Sequence, residues 1–186
     1  ESVVRLYRQH GGNVYVMRTI DETIRESADD TKVADLVYQK MAARLRDLFV
    51  PLHRQSRGRW GYVAIQGDPR VNNDPEAIIE GALRYRQLGE NMIIKVPATP
   101  AGAVAMESLT AMGHPSIATL GFSVDQAVYM AEAYRRGLGR SATRPACLIT
   151  YIAGILDEHL AETAERQGNS ALREAIKYAG IAGNRA

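Results

Sequence analysis

Met92-Ile93-Ile94-Lys95-Val96-Pro97 is the stretch on which the fold turns. Short and mostly apolar, it reads as a buried strand with one charge inside it. Strand alternation sends Ile94 and Val96 to one face and Ile93, Lys95 and Pro97 to the other. In a closed barrel, one face packs on helices and the other fills the interior. Ile94 and Val96 suit the helix-covered side, so Lys95 points inward near the strand's C-terminal end. That end is where such barrels carry chemistry. A buried lysine is costly unless it is paired or neutralised. With a pKa of about 10.4, roughly one amine in a few thousand is free at pH 7. Desolvation would lower that pKa and create a nucleophile able to attack a ketone. The competing reading is a lysine at a strand end whose long stem reaches solvent.

Three more short apolar runs flank this one: Tyr62 to Gln66, Ile117 to Phe122 and Cys147 to Ala153. Helical patterns lie between them. One follows Asp74-Pro75, with Ile78, Ile79, Leu83 and Leu88 as its apolar side. Others follow Pro100 and Ser123, and two more run roughly from Leu156 to Arg166 and from Ser170 to Ala182. Asp74 before Pro75, and Ser123, have the character of N-caps. Gln66 to Lys95 is 29 positions, Lys95 to Thr119 is 24, and Thr119 to Thr150 is 31. Strand–helix alternation implies a parallel sheet, and a (β/α)₈ barrel averages roughly 31 residues per unit. A doubly wound open sheet has similar spacing, but no dinucleotide glycine fingerprint or P-loop supports it. The first third reads as helix, with Val33, Val37, Met41, Leu45 and Leu48 as one stripe and caps at Asp29, Asp30 and Thr31. Arg44, Arg46 and Arg54 read as its solvated face. Four strands are too few for a closed barrel, so the chain is expected to be an internal piece of one.

Composition narrows the functional classes. The chain has 186 residues, 46% of them hydrophobic, enough for one domain with a substantial core. Lys plus Arg is 23 against 21 for Asp plus Glu, a net charge of +2. That balance argues against a dedicated nucleic-acid surface. A single cysteine, Cys147, excludes an internal disulfide framework and favours a reducing compartment. No apolar run approaches the roughly 20 residues of a membrane-spanning helix. No secretory signal is visible, although the chain begins at Glu1 rather than Met. A cytoplasmic protein without membrane partners is the expectation.

Ile93-Ile94-Lys95-Val96-Pro97-Ala98-Thr99 resembles the motif around the Schiff-base lysine of transaldolases. Ala64-Ile65-Gln66-Gly67-Asp68-Pro69-Arg70 resembles the preceding active-site strand of that family. Ala118-Thr119-Leu120-Gly121-Phe122-Ser123 resembles the following one, and Gly154-Ile155-Leu156-Asp157 part of the strand after that. The four motifs occur in order and at the right spacing, with similarity from about Ile24 onward. The resemblance implies a single transaldolase-like TIM barrel domain, incomplete at both ends, in which these runs are strands three to six. The family's first-strand aspartate and second-strand asparagine would then lie outside the sequence.

Residue by residue, the resemblance puts Lys95 at the Schiff-base position. Thr119 falls where an active-site threonine helps hold a catalytic water. Gln66 takes the place of the transaldolase glutamate that moves a proton through that water; a glutamine can orient a water but cannot shuttle a proton. The fructose-6-phosphate aldolase branch also has glutamine there and uses a tyrosine on the sixth strand, close to Tyr151. Asp68, Thr150 and Ser123 are carried as substrate-contacting candidates. For Asp68 a turn beside Pro69, and for Ser123 a helix cap, are the simpler readings. Ile117 replaces a substrate-binding asparagine, and Gly154 or Ile155 a phosphate-binding arginine. Neither of the latter offers charge to a phosphate dianion. These departures leave open a substrate without phosphate, other phosphate-binding groups, or a non-catalytic binding or scaffold relative.

The resemblance implies a transaldolase or aldolase acting on a sugar or sugar phosphate, with no metal or organic cofactor, because the lysine supplies the electron sink. It also leaves a homo-oligomer open. His10, His53, His114 and His159 show no metal-like pairing and read as surface or loop residues. Cys147 reads as a small core residue. Arg70 reads as a loop ion-pair partner. Tyr129, Tyr134, Arg135 and Arg136 read as helix packing plus a solvated face.

Overall fold

The computed structural model describes residues 14–152 and 154–185. In chain order the elements are α1 (Val14–Ile24), α2 (Asp30–Gln55), β1 (Val63–Gln66), a 3₁₀ turn (Pro69–Val71), α3 (Pro75–Arg86), β2 (Met92–Pro97), α4 (Pro100–Ala111), β3 (Ser116–Gly121), α5 (Val124–Leu138), β4 (Cys147–Tyr151), α6 (Gly154–Gln167) and α7 (Ser170–Arg185). The strands lie in the order β1-β2-β3-β4 in one sheet. β2 pairs parallel with β3, and β3 parallel with β4. An α/β chain with a parallel four-stranded sheet is thus established. Among the described residues, no strand precedes Val63.

Two compact units are distinguished: residues up to Val63 with Tyr85–Met92, and Ala64–Arg84 with the residues from Ile93 onward. The second contains most of the sheet and helices α4 to α7. Its core gathers Ile65, Ile94 and Val96 from the strands with Met106, Leu109 and Met130 from the helices, all at most 1% exposed. Helices α4 and α5 pack against each other closely. Gly137 makes this approach possible, since a Cβ there would lie 2.5 Å from the carbonyl oxygen of Glu107. Arg136 and Arg140 close the same seam on the Glu107 carboxylate, at 2.6 and 2.7 Å.

Asp29 and Asp74 cap their helices as expected, whereas Asp30 and Thr31 lie inside α2. The Asp29 carboxylate accepts from the backbone N–H groups of Thr31 and Lys32, and Asp74 accepts from those of Glu76 and Ala77. Each satisfies amides that the first turn of a helix leaves without partners.

In the first unit α2 departs from the expected stripe. Leu45 and Leu48 are 49% and 69% exposed. Instead, polar side chains turn inward and bond. Asp35 accepts from the Tyr85 hydroxyl at 2.5 Å, and Arg46 donates to the Leu88 carbonyl. Arg46 is therefore part of the packing rather than a solvated face. Arg44 lies over the Tyr15 ring at 3.9 Å, while Arg54 pairs with Glu90 at the surface. His53 also differs from expectation: it is buried, with its Nδ1 2.9 Å from the Trp60 carbonyl oxygen and its ring edge-on to Tyr62. The turn through Gly58 brings those partners back onto the end of α2. His159 is exposed as expected, and His10 lies outside the described residues.

Candidate active site

Side-chain hydrogen bonds to backbone carbonyls gather at the start of β2. Asn91 donates through Nδ2 to the carbonyls of Arg46 and Gly61, at 3.1 and 2.9 Å. The Arg86 guanidinium donates to the carbonyls of Gly89, Glu90 and Met92. The strand that carries Lys95 begins at Met92. Beyond its end, the Thr99 side chain caps α4 by accepting from Gly102 N–H at 3.1 Å, and its hydroxyl donates to Asn72. Gly102 packs so closely on the strand end that a Cβ there would run into the Pro97 carbonyl oxygen.

Lys95 is half-buried between neighbours that are almost fully buried: Ile94 is 1% exposed and Val96 is inaccessible. It is the sole Lys, Arg, Asp or Glu in the four strands. Its Cα partner on β3 is Ile117, whose own partner on β4 is Leu148. The lateral neighbour of Lys95 is therefore apolar where the family resemblance would place an asparagine. Thr119 is the Cα partner of Pro97 and so shares the Lys95 face, one pleat nearer the strand ends. It is 6% exposed, and its carbonyl accepts from Ala98 N–H at 2.8 Å.

Gln66 is half-buried at the C-terminal end of β1. Gly67, the next residue, lies against the backbone of Lys95: a Cβ on it would sit 4.0 Å from the Lys95 carbonyl oxygen. Tyr151 is half-buried at the end of β4 and pairs with Gly121. The C-terminal ends of adjacent strands thus bring the positions of Gln66, Lys95, Thr119 and Tyr151 to one edge of the sheet.

The three substrate-contacting candidates have local roles in the described structure. Asp68 caps the 3₁₀ turn, accepting from Arg70 N–H at 2.9 Å, and pairs with the Arg70 guanidinium at 2.6 Å. The Arg70 hydrogen bonds hold its carboxyl at about 2. Ser123 caps α5, accepting from Gln126 N–H at 3.1 Å. Gln126 in turn accepts from Phe122 N–H and donates to the Ala98 carbonyl, tying the start of α5 to the end of β2. Thr150 donates its hydroxyl to the Ala118 carbonyl at 2.8 Å.

One feature near the site has no signal in the sequence. The β3–β4 register slips between Ala118 and Gly121, and Leu120 has φ +62°. Such a bulge is invisible to strand alternation. Position 154 is an open glycine with nothing near its missing Cβ, and Ile155 is 47% exposed. Ala153 lies outside the described residues. Cys147 is half-buried rather than a full core residue, and burial pushes its thiol up to about 11. Among the described residues, no group of His, Cys, Asp and Glu is placed to hold a metal ion. None of the described helices is long and apolar enough to cross a membrane.

Comparison with known proteins identifies the family. The sequence profile of the family described as Transaldolase/Fructose-6-phosphate aldolase matches residues 9–182, reaching further toward the N-terminus than the Ile24 limit read from the motifs. A transaldolase of Thiobacillus denitrificans is 40% identical over 104 residues, covering 55% of this chain and 29% of the relative. One from Trichodesmium erythraeum is 29% identical over 182 residues, covering 89% and 48%. A relative named transaldolase 2, from Nostoc punctiforme, is 31% identical over 156 residues, covering 80% and 41%. The chain spans at most about half the length of these curated relatives. With a profile match over nearly all its length and a lysine-bearing strand at the centre of its sheet, the chain belongs to the transaldolase/fructose-6-phosphate aldolase family.

Proposed function

We propose that this chain is the central part of a (β/α)₈ barrel, its four strands being the third to sixth, and that the whole protein is a Schiff-base transaldolase or aldolase. The observation that carries the reading is Lys95, the one Lys, Arg, Asp or Glu in the sheet, half-buried near the C-terminal end of a strand. Parallel α/β barrels present their chemistry at that end. Among the described residues, no carboxylate pairs with Lys95 to give it a structural task. The amine adds to the carbonyl carbon of a ketose, and loss of water leaves an iminium ion. That cation accepts the electron pair of the adjacent carbon–carbon bond as the bond breaks, or returns it when a new aldehyde is joined. Gln66 and Thr119 orient the water through which protons move, and Tyr151 is the proton carrier. The curated relatives matched here are named transaldolases, which favours catalysis over a non-catalytic scaffold.

The substrate is a sugar or sugar phosphate. Gly154 and Ile155 bring no charge, so a phosphorylated sugar would have to draw its cation from other residues. The test is turnover by the full-length protein with ketose donors and aldehyde acceptors. Activity is expected to survive chelation, to be lost after borohydride treatment with donor present, and to be absent from Lys95→Ala. Full turnover by a folded Lys95→Ala protein would overturn the reading.

A further inference from the structure

We infer that Leu120 is a positioning residue: its left-handed backbone holds a β-bulge that presents Thr119 to the reacting groups around Lys95. This rests on the Schiff-base reading above. From Ser116 to Ala118, β3 pairs with β4 residue for residue. The next pair is Gly121 with Tyr151, so three steps along β3 meet two along β4. One extra residue lies in β3, and Thr119 and Leu120 together stand opposite Thr150. On the other side, β3 keeps unbroken register with β2 through Pro97↔Thr119. The slip is therefore confined to the β4 side of the strand, next to Thr119.

The surroundings are built around this slip. The Thr150 hydroxyl donates to the Ala118 carbonyl, the last paired residue before the bulge. Pairing resumes with Ile152 N–H donating to the Gly121 carbonyl at 2.9 Å. Gly121 passes so close to β4 that a Cβ would sit 2.7 Å from the Thr150 carbonyl oxygen. Leu120 takes the extra position at φ +62° with its side chain 42% exposed, so burial does not account for keeping a leucine there. A non-glycine residue in the left-handed region is strained, and such strain gathers at functional sites. Bulges likewise occur beside active sites, where they re-aim a side chain. Thr119, almost fully buried on the Lys95 face, is the side chain this bulge aims.

The inference separates the Leu120 backbone from its side chain. Glycine adopts φ > 0 freely, whereas a β-branched residue does so very poorly. In the full-length protein, Leu120→Gly is expected to keep kcat within about twofold, while Leu120→Val lowers kcat by tenfold or more with a much smaller change in KM, an effect on the order expected of a misplaced catalytic group. In a Thr119→Ala background, Leu120→Val should add nothing further to the loss in kcat, because both changes remove the same contribution. Borohydride trapping of donor on the wild-type protein is run alongside. If the wild type traps donor but Leu120→Gly loses as much kcat as Leu120→Val, or the Val effect adds fully to Thr119→Ala, the inference is overturned while the Schiff-base reading stands. If the wild type traps no donor, that reading fails and the inference falls with it.

Discussion

Lys95 is set apart by what does not surround it. Its Cα partner on β3 is Ile117, and Leu148 lies one strand further on, so the β3 side presents hydrocarbon. In the proposed mechanism the amine reacts through its own nucleophilicity, with water and hydroxyls at the strand ends supplying proton transfer. Tyr151→Phe is accordingly expected to lower kcat by about a hundredfold, a loss typical of removing a general acid–base group; steady-state kinetics checks this. Asp68 is expected to stay out of the chemistry. Its folded carboxyl sits at about 2, below the ordinary 3.8, so the contribution of its pair with Arg70 is present above the unfolded value and disappears as the pH falls toward 2. In an NMR titration, Arg70→Ala should return the Asp68 carboxyl toward the ordinary range. Cys147, with its thiol at about 11, should alkylate at pH 8 on the order of a hundredfold more slowly than a free thiol. The place of Lys95 within a strand and the caps at Asp29, Asp74 and Ser123 were legible in the sequence, because alternation and capping are local rules. His53 was not, because its partners Trp60 and Tyr62 reach it only through the turn at Gly58.

At the scale of elements, strands and helices followed from the change of apolar period, and the observed strand ends lie within two residues of the expected ones. The face of α2 did not follow. A stripe of leucines is the usual sign of a buried face, yet Leu45 and Leu48 are exposed while Asp35 and Arg46 hydrogen-bond into the packing. The bulge in β3 was likewise beyond the pattern, since strand alternation assumes one residue per step. Ser123 belongs to this scale too. Its hydroxyl caps α5, so Ser123→Ala should cost about 1 kcal/mol of stability and leave KM for the donor unchanged. Denaturant unfolding and donor titration check the two halves of that statement, and a large rise in KM would return Ser123 to the substrate. Gly102→Ala, which forces a methyl group against the Pro97 carbonyl, should destabilise the protein by about 1–3 kcal/mol.

The whole molecule depends on what lies beside the sheet. Among the described residues, β1 and β4 are its outermost strands, and each has a strand neighbour on one side only. Leu148 and Ile149 on β4 are 51% and 38% exposed. In the proposed barrel, further strands and their helices cover these edges. The sequence points to such a covering only through the family resemblance, because periodicity counts strands without saying whether a sheet closes. Imine formation between Lys95 and a sugar is the step on which the proposed function rests. It is tested most directly by the intact mass of the full-length protein after borohydride reduction with a panel of phosphorylated and unphosphorylated ketoses, followed by peptide mapping. A mass gain that maps to Lys95 and vanishes in Lys95→Ala is the predicted result. A folded protein that gains no mass with any member of the panel, or gains it at another lysine, would contradict the account.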